Sequence, residues 1–235
     1  MRPLFRFKQF AMTDEHCGMR IGTDGVLLGA WTHISQSTKT IADIGTGCGI
    51  IALMLAQRAP HANMTAVEID SGACADARCN FEASPFAARI ALKECCFSEL
   101  KADEHFDLLV SNPPFFTETL HANAPSRATA RHAGSLSFDN LAKRCNKFLS
   151  PTGRLAVILP YSQDEETIMT AAMNRLCPVR HCVVSDRPGT KPIRTLWEFS
   201  LTEEHCEQSH LTIRNTDGTF SDEYISLTKE FHIFL

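Results

Sequence analysis

The chain is short of the features that would assign it quickly. None of its ten cysteines forms a C-x-x-C pair. Cys74 and Cys79, like Cys177 and Cys182, stand five apart, a poor spacing for a zinc ribbon. The thiols read as reduced groups packed like small hydrophobes, so a reducing cytoplasm and no bound metal are expected. No apolar run approaches membrane-spanning length, and Met1-Arg2-Pro3-Leu4-Phe5-Arg6 lacks a signal-peptide pattern. No membrane association is expected. Positive charge is not in excess either. The formal net charge is -4, so any nucleic-acid surface must be a local patch. There is no internal repeat, low-complexity stretch or convincing linker. Residues 1–235 therefore read as one domain, with residues from about 1 to 35 as an N-terminal extension packed on it and no obligate protein partner.

What is present is ordinary in amount and specific in arrangement. Over 235 residues, 44% are hydrophobic and 21% charged, enough to build a sizeable core. Strand-like and helix-like stretches tend to alternate: Lys39 to Ile44, Ile50 to Arg58, Asn63 to Ile69, Ala73 to Ala83, Ala88 to Leu92, His105 to Val110, Phe138 to Leu149 and Arg154 to Leu159. That order predicts a parallel, doubly wound α/β sheet, with ligands at the carboxyl ends of its strands. Phe5 to Met12 alternates, with Phe5 and Phe7 opposite Arg6, Lys8 and Phe10, and reads as a hairpin arm. Thr23 or Asp24 is expected to cap the helix Val26 to Trp31, and Pro151-Thr152-Gly153 to turn into the fifth strand. Helix Asp164 to Leu176 follows. Pro178 to Ser185 and Ile193 to Leu201 predict an antiparallel hairpin, to which Arg187, Lys191 and Arg194 add charge. The tail holds a short strand, His210 to Ile213, and a helical stretch, Ser221 to Phe231.

Three points on this frame carry chemistry. Asp43-Ile44-Gly45-Thr46-Gly47-Cys48-Gly49 joins the first parallel strand to a helix. Its G-x-G-x-G spacing is not the dinucleotide G-x-G-x-x-G, and an acid precedes it. A ligand with a positive amino-acid end and no pyrophosphate fits better than NAD. Glu68, 25 residues after Asp43, ends the next strand beside Ile69 and is placed to accept both hydroxyls of a ribose. Asn112-Pro113-Pro114-Phe115-Phe116 ends the fourth. The Asn112 side-chain oxygen and the Pro113 carbonyl can both accept hydrogen bonds from one planar amine, the Pro113 ring stiffens the turn and keeps Asn112 extended, and Phe115 and Phe116 can lie on the flat group. The Cys96-Phe97 turn falls at the same edge. Between His121 and Arg154, Arg127, Arg131, Lys143, Arg144, Lys147 and Arg154 face one acid, Asp139. Beside an amine-binding turn, that bias suits a phosphate backbone.

In that order, the glycine turn, Glu68 and Asn112-Pro-Pro-Phe115 resemble a Rossmann-like class I S-adenosylmethionine-dependent N-methyltransferase. Phe7-Lys8-Gln9-Phe10, Arg20 to Trp31, Arg127-Ala-Thr-Ala-Arg131-His132 and Tyr224 to Phe231 narrow the resemblance to the bacterial tRNA1(Val) (adenine-37-N6)-methyltransferases. It implies a mostly parallel seven-stranded sheet with an antiparallel last strand. It implies S-adenosylmethionine on Asp43, Gly45, Thr46, Gly47, Gly49, Glu68, Ile69, Cys96, Phe97 and Asn112. It implies adenine on Asn112, Pro113, Pro114 and Phe115, and tRNA on Phe116, Arg127, Arg131 and His132. A protein glutamine amide and guanine N2 of ribosomal RNA also present an amine on a flat group, and stay open as alternatives.

Overall fold

A computed structural model describes residues 4–101, 103–114 and 136–233. Phe115, Phe116, Arg127, Arg131 and His132 therefore lie outside the described residues. A two-stranded hairpin, β1 (Phe5–Arg6) and β2 (Ala11–Met12), opens the chain, followed by α1 (Thr23–Trp31). Then come β3 (Thr40–Ile44), α2 (Ile50–Arg58), β4 (Asn63–Glu68), α3 (Ser71–Glu82), β5 (Ile90–Glu94) and β6 (Phe106–Ser111). After these come α4 (Phe138–Cys145), β7 (Leu149–Pro160), α5 (Asp164–Met173), β8 (Cys177–Ser185), β9 (Arg194–Ser200), β10 (Glu207–Thr212) and α6 (Asp222–Thr228).

β3 to β10 form one sheet in the order β10-β8-β9-β7-β6-β3-β4-β5, parallel except for β9. The expected seven strands and single antiparallel strand are there, with an eighth, β10, added parallel to β8. Residues 207–210 of β10 are exposed, so it carries little of the alternation that marks a half-buried strand. Strand order reverses between β3 and β6, which opens a crevice at their carboxyl ends.

Several local readings are corrected. Phe7 and Phe10 do not face opposite ways: a turn (Phe7 N to Phe10 O, 2.8 Å) brings both rings inward, stacked at 4.6 Å. Gly22, not Thr23 or Asp24, precedes α1, and no side chain caps it; the Asp24 carboxylate accepts from Arg194 Nε at 2.9 Å instead. The third parallel strand starts at Ile90 rather than Ala88. Residues 87–89 form a 3-10 turn so that Arg89 can donate to the carbonyls of Ala56, Ala59 and Ala62. Pro151-Thr152-Gly153 is no turn between elements but a bulge within β7, where the register against β6 jumps from Phe106/Leu149 to Leu108/Arg154.

Glu198 of β9 ties the N-terminal part to the sheet. Fully buried, it accepts from His33 N at 2.5 Å and Arg180 Nη1 at 2.9 Å, and Arg180 also lies 4.1 Å above the Trp31 ring. Glu198→Ala leaves Arg180 without its buried counter-charge and is expected to cost about 3–5 kcal/mol. Urea denaturation checks this: a midpoint within error of the wild type would show that Glu198 does not brace the fold.

Candidate active site

Registers put three positions at one level. Ile44 of β3 pairs with Val67 of β4, and Asp43 with Val110 of β6, so Gly45, Glu68 and Asn112 stand side by side just beyond the carboxyl ends of neighbouring strands. The Ser111 hydroxyl donates to Ile44 O at 2.8 Å and holds the ends of β3 and β6 together.

Gly45, Gly47 and Gly49 have φ of 72°, 57° and 92°, backbone that side-chain-bearing residues rarely adopt. A Cβ on Gly49 would also overlap the Phe81 ring. The turn is braced from beneath. Asp43 Oδ2 accepts from Thr46 Oγ1 at 2.6 Å and Ala52 N at 3.1 Å, while Oδ1 is buried with no partner among the described residues. Burial pushes this carboxyl up to about 7, against the bonds from Thr46 and Ala52, and Glu68 adds to the rise. Glu68 Oε2 accepts from Gly47 N at 2.9 Å; its Oε1 accepts from Ile69 N at 2.8 Å and Asp70 N at 2.9 Å. Ile69 beside it is 39% exposed, an apolar side chain left open at the ligand edge.

Asn112 Oδ1, at the same edge, is also a buried acceptor with no partner among the described residues, while its Nδ2 faces Met19 Sδ at 3.8 Å. Pro113 and Pro114 line a cavity of about 130 Å³ with Phe138, Gln163 and Glu166, so the start of α4 and the turn before α5 support this corner. Phe97 behaves differently from its expected role. Its ring is buried against Phe148 at 5.0 Å, which leaves only its backbone for a ligand. Cys96 N donates to Glu99 Oε2 at 3.0 Å.

The structure also adds residues that sequence reasoning missed. Asp76 of α3 accepts from the backbone of His16 (2.7 Å) and Cys17 (2.8 Å), and Asn80 bonds Thr13 N, Thr13 O and Cys48 O. Residues 13–17 are thereby strapped across the glycine turn. The Cys48 thiol donates to Cys17, which lowers the Cys17 pKa and, with burial, raises that of Cys48. No period marks this segment; an Asp and an Asn four apart on α3, both buried, were the available signal.

The basic cluster is split. α4 starts beside Pro113 and Pro114 and runs to the opposite edge, since Leu149 just after it pairs with Phe106, the first residue of β6. Lys143, Arg144 and Lys147 thus lie at the strands' amino ends, away from Asn112. Arg154 is engaged with Glu198 and Glu204. These four do not form a patch beside the amine-binding turn.

The model of the methyltransferase small domain family matches residues 22–181. A tRNA1(Val) (adenine(37)-N6)-methyltransferase of Bacteroides fragilis is 40% identical over 99% of this chain and 98% of its own length. Proteins of that name from Parabacteroides distasonis (42%, 98% of each chain) and Aeromonas hydrophila (40%, 97% of each) are similar to the same extent. The chain belongs to the tRNA1(Val) (adenine(37)-N6)-methyltransferase family. Among solved structures, a predicted O-methyltransferase of Agrobacterium tumefaciens shares the fold (TM-score 0.69, 22% identity, 88% of this chain and 96% of that one). This enzyme is therefore a class I methyltransferase, and its cofactor is S-adenosylmethionine. The residues present fit that group. Asp43 Oδ1 and Asn112 Oδ1 are buried acceptors lacking donors among the described residues, the three glycines let a ligand approach the backbone, and Glu68 ends the adjacent strand. All ten cysteines are free thiols, and no described helix is long and apolar enough to cross a membrane.

Proposed function

We propose that this enzyme transfers a methyl group from S-adenosylmethionine to N6 of adenine 37 in valine tRNA. The observation that carries the reading is the buried Asn112 Oδ1, an acceptor without a donor among the described residues, level with Gly45 and Glu68. An adenine amine is a poor nucleophile because its lone pair is delocalised into the ring. Asn112 Oδ1 and the Pro113 carbonyl accept hydrogen bonds from its two N–H groups, draw the nitrogen toward tetrahedral geometry and stabilise the positive charge that develops there until one of those protons is lost to water. The bound cofactor supplies an activated sulfonium methyl. Asp43 and the backbone from Gly45 to Gly49 hold its methionine end, Glu68 takes the ribose hydroxyls, and Ile69 and the Cys96-Phe97 backbone flank its adenine. The chain mainly aligns the reacting atoms, and no side chain acts as a strong base. Phe115 and Phe116 stack on the target base; Arg127, Arg131 and His132 hold its phosphates. Residues 1–235 act as one domain, with 1–35 as an extension tied down by Asp76, Asn80 and Glu198. Ten free thiols and a tRNA substrate support a cytoplasmic location.

Methyl transfer from labelled S-adenosylmethionine to unmodified tRNA, followed by nucleoside mass analysis, tests the assignment. N6-methyladenosine in valine tRNA is expected. Cofactor binding with no label on any tRNA overturns it and turns attention to protein glutamine and guanine N2.

Asp43 gives a pH test. Its folded pKa of about 7 exceeds the ordinary aspartate value of 3.8, so its ionisation subtracts stability progressively as pH rises from about 4 to 7, and by a constant amount above. An ammonium group at Oδ1 favours the carboxylate. Cofactor binding at pH 6 should thus release a proton from Asp43, and at pH 8.5 should release none from it. Calorimetry in two buffers of different ionisation enthalpy reads this; a release at pH 6 that persists in Asp43→Asn would remove Asp43 from the role.

A further inference from the structure

The carboxyl edge carries a second feature, one strand beyond the crevice. Tyr161, directly after β7, is 41% exposed, and Ile193, directly before β9, is 40% exposed. They are joined, Tyr161 N donating to Ile193 O at 3.2 Å. Tyr161 opens the turn whose Gln163 shares a cavity with Pro113 and Pro114, so this apolar pair adjoins the Asn112 corner. Residues 186–193 between β8 and β9 rise beside it and bring Arg187 and Lys191, both exposed.

The loop holds a fixed shape. Thr190 Oγ1 donates to Arg187 O at 2.7 Å and accepts from Arg187 N at 3.2 Å, and Gly189 sits at φ 75°. Its base is pinned by the Arg194–Asp24 pair. Two of the four acids nearby are engaged. Asp186 pairs with Arg187 and Arg214, and Asp164 accepts from Trp197 Nε1. Glu166 shares a cavity with Pro114, and both Glu165 and Glu166 are exposed at the start of α5. Lys191 has no ion pair among the described residues, so its charge faces solvent uncompensated.

A flat aromatic, a β-branched neighbour and unpaired positive charge on a rigid loop suit unstacked bases and their phosphates. We propose that Tyr161, Ile193, Arg187 and Lys191 form the docking face for single-stranded nucleotides flanking the target adenine. Tyr161 stacks on one neighbouring base, and Lys191, with Arg187, takes the phosphates. This rests on the tRNA reading above and adds a surface to it, at the edge that Lys143, Arg144 and Lys147 do not reach.

The test uses the full chain, with an unmodified valine tRNA as probe. Tyr161→Ala should raise the KM for tRNA about 10- to 100-fold, the range of one lost base stack. kcat at saturating tRNA and cofactor affinity should stay near wild type, and Tyr161→Phe should restore the KM. Lys191→Ala should weaken tRNA binding several-fold at moderate salt and lower the slope of log affinity against log salt by about 0.7. Wild-type KM in Tyr161→Ala together with an unchanged salt slope in Lys191→Ala overturns the docking face and leaves the tRNA reading intact. A wild-type enzyme that methylates no tRNA overturns both.

Discussion

Asn112→Ala is expected to lower kcat by roughly 10²–10³-fold, the usual loss when one preorganised acceptor of transition-state charge is removed. Cofactor affinity should change by less than about twofold, because the glycine turn and Glu68 remain. The size of the effect follows from burial. Oδ1 is withdrawn from water and has no partner among the described residues, so it needs no desolvation when the amine arrives. Asn112→Asp separates geometry from charge. It keeps the acceptor but places a second carboxylate near Glu68, and an intermediate rate is expected. Single-turnover methylation of tRNA, with cofactor binding measured on the same samples, provides the check. A fully active Asn112→Ala would end the assignment of this corner to the amine.

The second large effect falls on the cofactor. Glu68→Ala should weaken S-adenosylmethionine binding by at least about 100-fold, since it removes the acceptors for two hydroxyls, each charge-assisted bond being worth about 1.5–3 kcal/mol. It also releases Gly47 N, Ile69 N and Asp70 N, the three donors the carboxylate now holds. Glu68→Gln keeps a carbonyl oxygen and should fall in between. Titration calorimetry with S-adenosylmethionine reads the constants. Affinity within twofold of wild type for Glu68→Ala would place the ribose elsewhere.

The parts of the site legible in the sequence are those where one residue type answers one local demand. Gly45, Gly47 and Gly49 announce positive φ, Glu68 announces a strand end, and Asn112 with two prolines announces a stiff acceptor. The strand-to-helix alternation then puts all of them at one edge. The parts that were not legible depend on partners far along the chain. The strap over the glycine turn hangs on Asp76 and Asn80, about sixty residues from His16 and Thr13, and such pairings leave no period. The basic residues after Ser135 were misplaced for a related reason. Their charge is local in sequence, but α4 carries them the full height of the sheet. The bulge in β7 was read as a turn because Pro151, Thr152 and Gly153 are turn formers; a parallel neighbour on one side absorbs the extra residues.

The hairpin that opens the chain is closed by its other end: Phe7 bridges His232, and Lys8 N donates to Phe231 O at 2.8 Å. During synthesis, residue 8 must wait for residue 231. At about 5–20 residues per second that delay is on the order of 10–45 s. The sheet from β3 to β6 can assemble on the ribosome in that time. The last brace of the opening hairpin cannot. A nascent chain stalled before α6 would thus hold the β3 to β6 part of the sheet, with the glycine turn already strapped by Asp76 and Asn80, while the opening hairpin still waited for its partner.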